Sequence, residues 1–418
     1  MNINNKIKDP KIALKLFLLC WVVYFSAYLG RLNYSSAMTV MIRDSIITKS
    51  QAGFISMIYF FAYGIGQFIN GFIGDRMNSK KMITCGLTLS AIMNILMSLS
   101  QNFIIMSIVW CINGYAQSTI WPPIIRIFSE RLEMKEKLKY SVDIASSQPA
   151  GTFASYFLSV AILSFFEWQH VFSVAGILIL IVVLIWNAGF KSIERYLGIQ
   201  DSKIEERVSE DFDKNFVSLP NQMDFKSMIL GSGILLLIIP IFVHGILKDG
   251  VVSWVPTYIG ETFNVDASIS ILFTTLIPLI NLSGAYMGRY VFKKMKNDEV
   301  KATIFFFAIA VFMLFVLYGF GNRYIILTAL ILSVITASMM AINTLLISFY
   351  PLRFEKQGRV ATVSGFLNAM AYLGTAVSTF SIGILVQNKG WNVTILSWII
   401  ITIIALITCV LGLRKIRK

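Results

Sequence analysis

Charged side chains are scarce in this sequence of 418 residues: they make up 14% of it, and acidic residues are outnumbered by basic ones by 22 to 36. Histidine occurs twice and cysteine four times, and every cysteine falls inside an apolar run. So few ligands predict neither a metal site nor a disulfide framework, and the cysteines are interpreted as small packing residues. The sequence also has no nucleotide-binding loop and no catalytic triad. These absences argue against an enzyme, against a bound cofactor and against transport driven directly by ATP.

Apolar side chains are abundant instead, at 56% of residues with a mean hydropathy of +0.71. A helix needs about 20 mostly apolar residues to cross a bilayer. Twelve spans meet this requirement, at approximately 12–37, 50–74, 79–99, 102–127, 140–166, 168–190, 226–260, 267–290, 300–319, 322–349, 358–387 and 391–413. We therefore predict an all-α membrane protein whose two six-helix halves, residues 1–190 and 226–418, are joined by a polar cytoplasmic linker at 191–225.

The net charge of +14 is distributed unevenly between the two sides of these spans. Of the 36 lysines and arginines, 30 lie in the termini and in alternate loops on one side, and only Arg43, Lys49, Arg323 and Lys389 lie on the other. Because basic loops stay in the cytoplasm, this asymmetry predicts a multi-pass protein of the cell membrane with both termini inside. The basic excess also suits contact with anionic lipid, and no nucleic-acid partner is expected.

An arginine, Arg31, lies near the middle of the first span. At 1.5 Å per residue it is about 24 Å from Lys15 and about 18 Å from Arg43, too far to reach either interface easily. A cation at that depth costs at least about 2.5–3.5 kcal/mol, so it needs a cavity or a partner. Tyr24 and Tyr28 share its helix face, and Asn33 follows closely. This stripe of donors predicts an anion site; the alternative is an ion pair with a carboxylate on another helix.

The second half carries a matching lone cation, Lys248, in span 7, with Trp254 following toward the outer interface. Asp249 is adjacent, but helix geometry is expected to turn it about 100° away, toward a neighbouring helix or a proton-carrying role. His244, one turn earlier, is either a structural histidine or a proton site. Asp143, near the inner end of span 5, could form a latch, an ion pair or a proton site.

Further sequence echoes link the two halves in the same order along the chain. GFIGDR (71–76) is repeated as GAYMGR (284–289), and PAGTFAS (149–155) as YLGTAVS (372–378). Gly71 would let helices pack closely, and Asp75, followed by Arg76, would pair with a neighbouring helix end or a basic residue as a breakable cytoplasmic latch; the alternative is a plain positively charged turn. Arg126 follows the paired prolines of WPPIIR and is interpreted as an interface arginine beyond a helix bend rather than as a substrate contact. Such repeats are typical of transporters whose halves rock around a central site.

Five segments together resemble the organophosphate:phosphate antiporters of the major facilitator superfamily, which include bacterial glycerol-3-phosphate and hexose-phosphate transporters. They are YFSAYLGRLNYSSAM, GFIGDRMNSKK, the WPP of span 4, KDGVVSWVPTY and GRVATVSGFLNAMAYLG. The resemblance implies the major facilitator fold and a phosphate site with one cation in span 1 and one in span 7. Arg31 matches the first, and Lys248 falls where many members have arginine.

The same resemblance also shows departures from the family pattern. Where bacterial members place a lysine one turn after the tyrosine of span 2, this chain has Tyr63 followed by Gln67. Ser146 stands where the glycerol-phosphate type has a histidine, and Thr274 where it has a glutamate. The loss of the lysine implies a site less suited to a strongly dianionic substrate.

We predict a secondary transporter that exchanges an organic anion, such as a sugar phosphate or glycerol phosphate, for inorganic phosphate by alternating access. The expected substrate contacts are Arg31, Lys248, Tyr24, Tyr28, Asn33, Tyr63, Gln67 and Trp254, in a monomer. One alternative is a proton-coupled carrier of a carboxylate that uses Asp249, His244 or Asp143. The other is a membrane sensor that signals to a histidine kinase.

Overall fold

The computed structural model describes residues 6–74, 77–198, 234–357 and 360–416 of the chain. The first six spans form helices α1 to α6. Asp9 and Pro10 start α1, and the side chains of Asn78 and Asn102 cap the backbone N–H groups at the starts of α3 and α4. The helix bounds are α1 Pro10–Arg43, α2 Lys49–Gly74, α3 Ser79–Ser98, α4 Phe103–Arg131, α5 Ser147–Leu163 and α6 Trp168–Tyr196.

The last six spans form helices α7 to α12, which begin where the described chain resumes. Their bounds are α7 Ile234–Phe263, α8 Ala267–Lys294, α9 Glu299–Phe320 and α10 Ile325–Phe349, followed by the long helix Val360–Ile416. Gly390 breaks that long helix with φ 77° and ψ 179°, a conformation that L side chains rarely adopt. The break separates α11 (360–389) from α12 (391–416), so the twelve predicted helices of an all-α membrane protein are confirmed.

Two boundaries differ from the prediction. The apolar stretch 140–166 was expected to be one span, but α5 begins only at Ser147, after the short helix Met134–Asp143 and a 3₁₀ turn at Ile144–Ser146. That short helix is polar overall, so its few apolar residues belong to an amphipathic segment rather than to a span. Helix α6 also continues to Tyr196, into the predicted linker, and residues 199–225 of that linker lie outside the described residues.

Paired glycines allow close helix packing at matching places in the two halves. A Cβ on Gly151 of α5 would lie 2.6 Å from the carbonyl oxygen of Phe25 in α1. A Cβ on Gly374 of α11 would overlap the carbonyl oxygen of Phe242 in α7. These two glycines belong to the echoed segments PAGTFAS and YLGTAVS, so the structure explains that echo as the same close contact made once in each half.

Hydrogen bonds join the two halves at the end of the bundle where α1 ends and α2 begins. The Thr39 and Thr257 hydroxyl oxygens lie 3.0 Å apart between α1 and α7. Nearby, the Lys49 ammonium bonds to the Glu261 carboxylate at 2.8 Å. Helix α2 also meets α11, where Ser50 donates to the side chain of Gln387 at 2.6 Å. We call this set of contacts the far-end contacts, because the chain termini lie at the opposite end.

Candidate substrate-binding site

Arg31 is buried between helices, with 9% of its surface exposed. Its guanidinium carbon lies 4.2 to 5.8 Å from the centres of five aromatic rings. We call these rings the ring cage: they belong to Tyr28 of α1, to Tyr59, Phe60 and Tyr63 of α2, and to Tyr372 of α11. Because Tyr372 belongs to the second half, the arginine of the first half is enclosed by both halves.

The guanidinium retains unused hydrogen-bonding capacity inside this cage. Its Nε and one terminal nitrogen are buried and have no hydrogen-bond partner, and Arg31 forms no ion pair with any described residue. Cation–π contacts contribute about 0.5–2 kcal/mol each, and they leave free the N–H donors that lie in the plane of the guanidinium. The alternative of an arginine paired to a structural carboxylate is therefore not what the described residues show. An anion that accepts from these N–H groups would complete the site.

Several hydroxyl groups around the arginine are themselves oriented by hydrogen bonds. Gln67 donates its amide N–H to the Tyr63 hydroxyl at 2.9 Å, and Tyr59 donates its hydroxyl to Gln117 at 2.8 Å. Tyr24 packs edge-on against Tyr28, with ring centres 5.4 Å apart. The structure thus brings Tyr24, Tyr28, Tyr63 and Gln67 together around Arg31. Sequence reasoning missed Tyr59, Phe60 and Tyr372.

Lys248 lies on a wide turn of α7. Residues Ile246–Gly250 form a π-helical turn, a feature found often at functional sites. The Lys248 ammonium lies 3.2 and 3.1 Å from the two carboxylate oxygens of Asp249, and both side chains are largely buried. The segment of α7 that carries Lys248 packs on α11 beside the ring cage, because a Cβ on Gly245 would overlap the carbonyl oxygen of Ala371, the residue before Tyr372. The two cations therefore border the same space.

This pairing corrects the expectation that Asp249 turns away from Lys248 toward another helix. In a regular α-helix, neighbouring side chains diverge by about 100°. The wide turn and the long, flexible lysine side chain bring the two charges together instead. Sequence spacing alone could not show this, because it assumes regular helix geometry.

Asn33 and Trp254, also expected at the site, lie elsewhere. Asn33 is buried in the first half and donates its amide N–H to Asn94 of α3 at 2.7 Å. Trp254 is fully buried between α7 and α11 and donates its indole N–H to the carbonyl oxygen of Thr379 at 3.0 Å. Among the described contacts, neither side chain touches the ring cage or Lys248. Each is part of the packing inside one half.

The Asn33 contact leads to a stability prediction. Asn94 bonds to Asn33 and also donates to the carbonyl oxygens of Gly30 and Ser90. Replacing Asn33 with alanine is expected to cost about 1–3 kcal/mol, since it leaves the buried Asn94 carbonyl without a donor. Asn94→Ala removes all three bonds and is expected to cost more. Thermal unfolding of the two variants in detergent checks this order; a smaller loss for Asn94→Ala would contradict it.

The remaining candidates lie around the site or at the end that carries the termini. His244 is buried in α7, about one helical turn before Lys248 and Asp249. Asp143 ends the short helix Met134–Asp143, near the start of α5, and is not part of the ring cage.

At the same end, Arg126 bonds to Glu130 at 2.6 Å and to the backbone carbonyl oxygen of Met77 at 3.1 Å. It thereby connects α4 to the loop after α2. The helix break at Thr119–Ile120, just before Pro122, is the bend that the paired prolines predict. Gly71 lies within α2, while Asp75 and Arg76, the predicted latch, lie outside the described residues.

Known proteins resemble this chain along most of its length. A family model described as Major Facilitator Superfamily matches residues 20–379. The probable hexose phosphate transport protein of Chlamydia trachomatis serovar D is 21% identical, over 96% of this chain and 93% of the relative. The glycerol-3-phosphate transporter of Bacillus subtilis strain 168 is 25% identical, over 91% of this chain and 88% of the relative.

A solved structure shares the fold. It is a bacterial homolog to the human lysosomal transporter Spinster, in an inward-facing and occupied conformation. It superimposes with a TM-score of 0.77 at 12% identity, over 97% of this chain and 98% of that one.

Proposed function

The chain belongs to the Major Facilitator Superfamily, and on that premise we propose that it exchanges an organic phosphate for inorganic phosphate across the cell membrane. Sugar phosphates and glycerol phosphate are the substrate classes carried by the relatives it resembles over most of its length. The positive loop charge supports a cytoplasmic location of both termini. The observation that carries the proposal is the buried guanidinium of Arg31, with N–H donors that no described protein group uses.

Binding begins with these donors. The phosphate oxygens accept from the planar guanidinium, which suits two-point contact with a phosphate. Hydroxyl groups of the ring cage other than that of Tyr59, which donates to Gln117, donate to the remaining oxygens, and Tyr63 is held by Gln67. The rings exclude water from the arginine, so its attraction for an anion is screened less than at the surface. The phosphate would lie between Arg31 and the Lys248–Asp249 pair, with the sugar or glycerol part directed away from both cations.

Exchange follows from the enclosure of Arg31 by both halves. Without an anion, the desolvated Arg31 opposes the rearrangement that would bury it further. The unloaded carrier therefore keeps its conformation and does not reorient its site. With phosphate bound, the charge is compensated and the halves can rock around the site. The far-end contacts close one side of the protein in this structure, and they must break when the site opens to that side.

A cross-link at the far-end contacts tests this movement. We expect a disulfide between Thr39→Cys and Thr257→Cys, because the hydroxyl oxygens that the sulfurs replace lie 3.0 Å apart. In a background where the four native cysteines are replaced by serine or alanine, oxidation should reduce exchange to background, and a reductant should restore it. Each single-cysteine variant, oxidised in the same way, is the control. Full exchange by the cross-linked protein would show that these contacts need not open.

A proton-coupled carrier of a carboxylate is the second candidate, and the presence of Asp249 beside the site is what favours it. Uptake into empty vesicles driven by an imposed pH gradient, without a counter-substrate, would support that candidate. Binding without any turnover would instead support a membrane sensor.

A ligand screen tests the proposed substrate class directly. Purified protein is heated in the presence of sugar phosphates, glycerol phosphate, inorganic phosphate and carboxylates of similar size. A ligand that binds only the folded state raises the unfolding temperature. We expect phosphorylated compounds to stabilise the wild type and to have no effect on Arg31→Ala. Stabilisation by carboxylates alone would overturn the phosphate assignment.

A further inference from the structure

Three charged side chains border the candidate site, and they do not contribute equally. Arg31 is unpaired among the described residues, whereas Lys248 is held by Asp249 through both carboxylate oxygens, at 3.2 and 3.1 Å. With Arg31 and Lys248 positive and Asp249 negative, the site carries a single net positive charge. A substrate meets one free cation and one that already has its counter-ion.

Apart from His244, the described groups around Asp249 add no charge to this balance. The charged and titratable groups near Asp249, among the described residues, are Lys248 and His244 on its own helix, Arg31 of α1, Tyr59 of α2, Tyr156 of α5 and Tyr372 of α11. Arg31 and Lys248 are the two basic side chains in that set besides His244. The tyrosines supply hydroxyl groups but no charge. Gln67, which orients Tyr63, is a neutral amide as well.

We propose that Asp249 is a built-in counter-ion to Lys248 that sets the charge of the accepted substrate at one. This inference rests on the proposed function, because it concerns which form of a phosphate ester the site binds. A monoanionic ester is neutralised by Arg31 and leaves the Lys248–Asp249 pair intact. A dianionic ester brings its second negative charge toward Asp249, which repels it, or must displace Asp249 from Lys248 and leave a carboxylate without its partner.

The consequence is a dependence of binding on the protonation of the substrate. The second pKa of a phosphate ester is about 6, so only about 1% of it is monoanionic at pH 8 and most of it is at pH 5.5. Each ester bound at neutral pH then carries a proton on its phosphate, and that proton crosses the membrane with it. Asp249 acts here as a residue that determines specificity, without itself taking up the proton.

Two esters of the same sugar test the proposal: glucose 6-phosphate and glucose 6-sulfate. A sulfate ester is a monoanion at both pH values, so its binding reports any pH effect on the protein alone. We expect wild-type affinity for the phosphate to be about 50- to 100-fold lower at pH 8 than at pH 5.5, following its monoanionic fraction. Affinity for the sulfate should change little. Calorimetry on purified protein measures all four values.

Asp249→Asn supplies the matching change in the protein, because the amide has nearly the same shape and no charge. The site then carries two positive charges, and the ratio of phosphate to sulfate affinity at pH 8 should rise at least about tenfold, or 1.4 kcal/mol. Asp266→Asn, which removes an exposed carboxylate at the start of α8, is the control and should leave the ratio unchanged.

The outcomes separate the inference from the function on which it rests. Wild-type protein that binds the phosphate as tightly at pH 8 as at pH 5.5, relative to the sulfate, overturns the counter-ion role. An unchanged ratio in folded Asp249→Asn overturns it too; if that variant does not fold, the wild-type comparison decides alone. Failure of folded wild-type protein to bind either ester at both pH values overturns the inference, and failure to bind glycerol phosphate as well overturns the proposed function.

Discussion

Arg31→Gln is expected to bind a phosphate ester at least 100-fold more weakly than the wild type, with exchange reduced to background. Hydrogen bonds to a charged partner contribute about 1.5–3 kcal/mol each. A two-point contact between guanidinium and phosphate therefore accounts for about 3–6 kcal/mol, and each 1.4 kcal/mol is tenfold in affinity. The change can be measured by calorimetry and by uptake of labelled substrate.

The same variant should be no less stable than the wild type when no ligand is present. Arg31 is a buried cation that forms no ion pair with a described residue. Removing a buried charge whose partner is absent relieves a desolvation cost, which offsets the loss of the cation–π contacts. Unfolding temperatures of the two proteins in detergent, without ligand, test this. A large loss of stability in Arg31→Gln would show that the arginine holds the fold together and does not serve a substrate.

Arg31→Lys is the matched variant that keeps the positive charge and loses the paired N–H donors of the planar guanidinium. A lysine presents a point charge rather than two parallel donors. It should therefore bind the ester more tightly than Arg31→Gln and more weakly than the wild type. Equal binding by Arg31→Lys and the wild type would mean that charge alone, without guanidinium geometry, is what the site requires.

Gly245→Val is expected to produce a large loss of stability in the second half. Gly245 precedes the wide turn of α7, and a Cβ there would overlap the carbonyl oxygen of Ala371 in α11. The same close contact lets Thr375 of α11 donate its hydroxyl to the Gly245 carbonyl oxygen at 3.0 Å. A larger side chain must separate the two helices. We expect a loss of about 3 kcal/mol in the free energy of unfolding, which is the upper end of the range typical of overpacked cores.

Gly319→Ala is the control for that substitution. Gly319 lies in α9, with no atom within 4 Å of the position that a Cβ would take. Alanine is favoured over glycine in a helix by about 1 kcal/mol, so this variant should be as stable as the wild type or slightly more stable. Yield of monodisperse protein and unfolding temperature are the readouts. Normal stability of Gly245→Val would contradict the close packing of α7 on α11.

The fold could be predicted from hydropathy because each membrane helix needs its own long apolar run. The prediction was wrong where this rule does not apply. In the stretch 140–166, the residues before Ser147 form part of a polar surface helix, so apolar content alone placed the start of α5 too early. The break at Gly390 was predicted because two apolar runs are separated there by a lysine and a glycine.

The site was only partly predictable. Arg31, Tyr24 and Tyr28 lie on one helix, and their spacing places them on one face, so the sequence could group them. Tyr372 reaches the arginine only because α11 packs on α2, and that contact is not encoded in local spacing. Asn33 shows the opposite failure: it is only two residues from Arg31, but its side chain points into the first half and bonds to Asn94.

The most direct test of the account is exchange in proteoliposomes loaded with inorganic phosphate. Labelled glucose 6-phosphate is added outside vesicles that contain wild-type or Arg31→Gln protein, with empty vesicles as the control. We expect rapid uptake by wild-type protein only when phosphate is inside, and background uptake by Arg31→Gln under all conditions. Uptake that does not depend on internal phosphate, or that persists in Arg31→Gln, would contradict it.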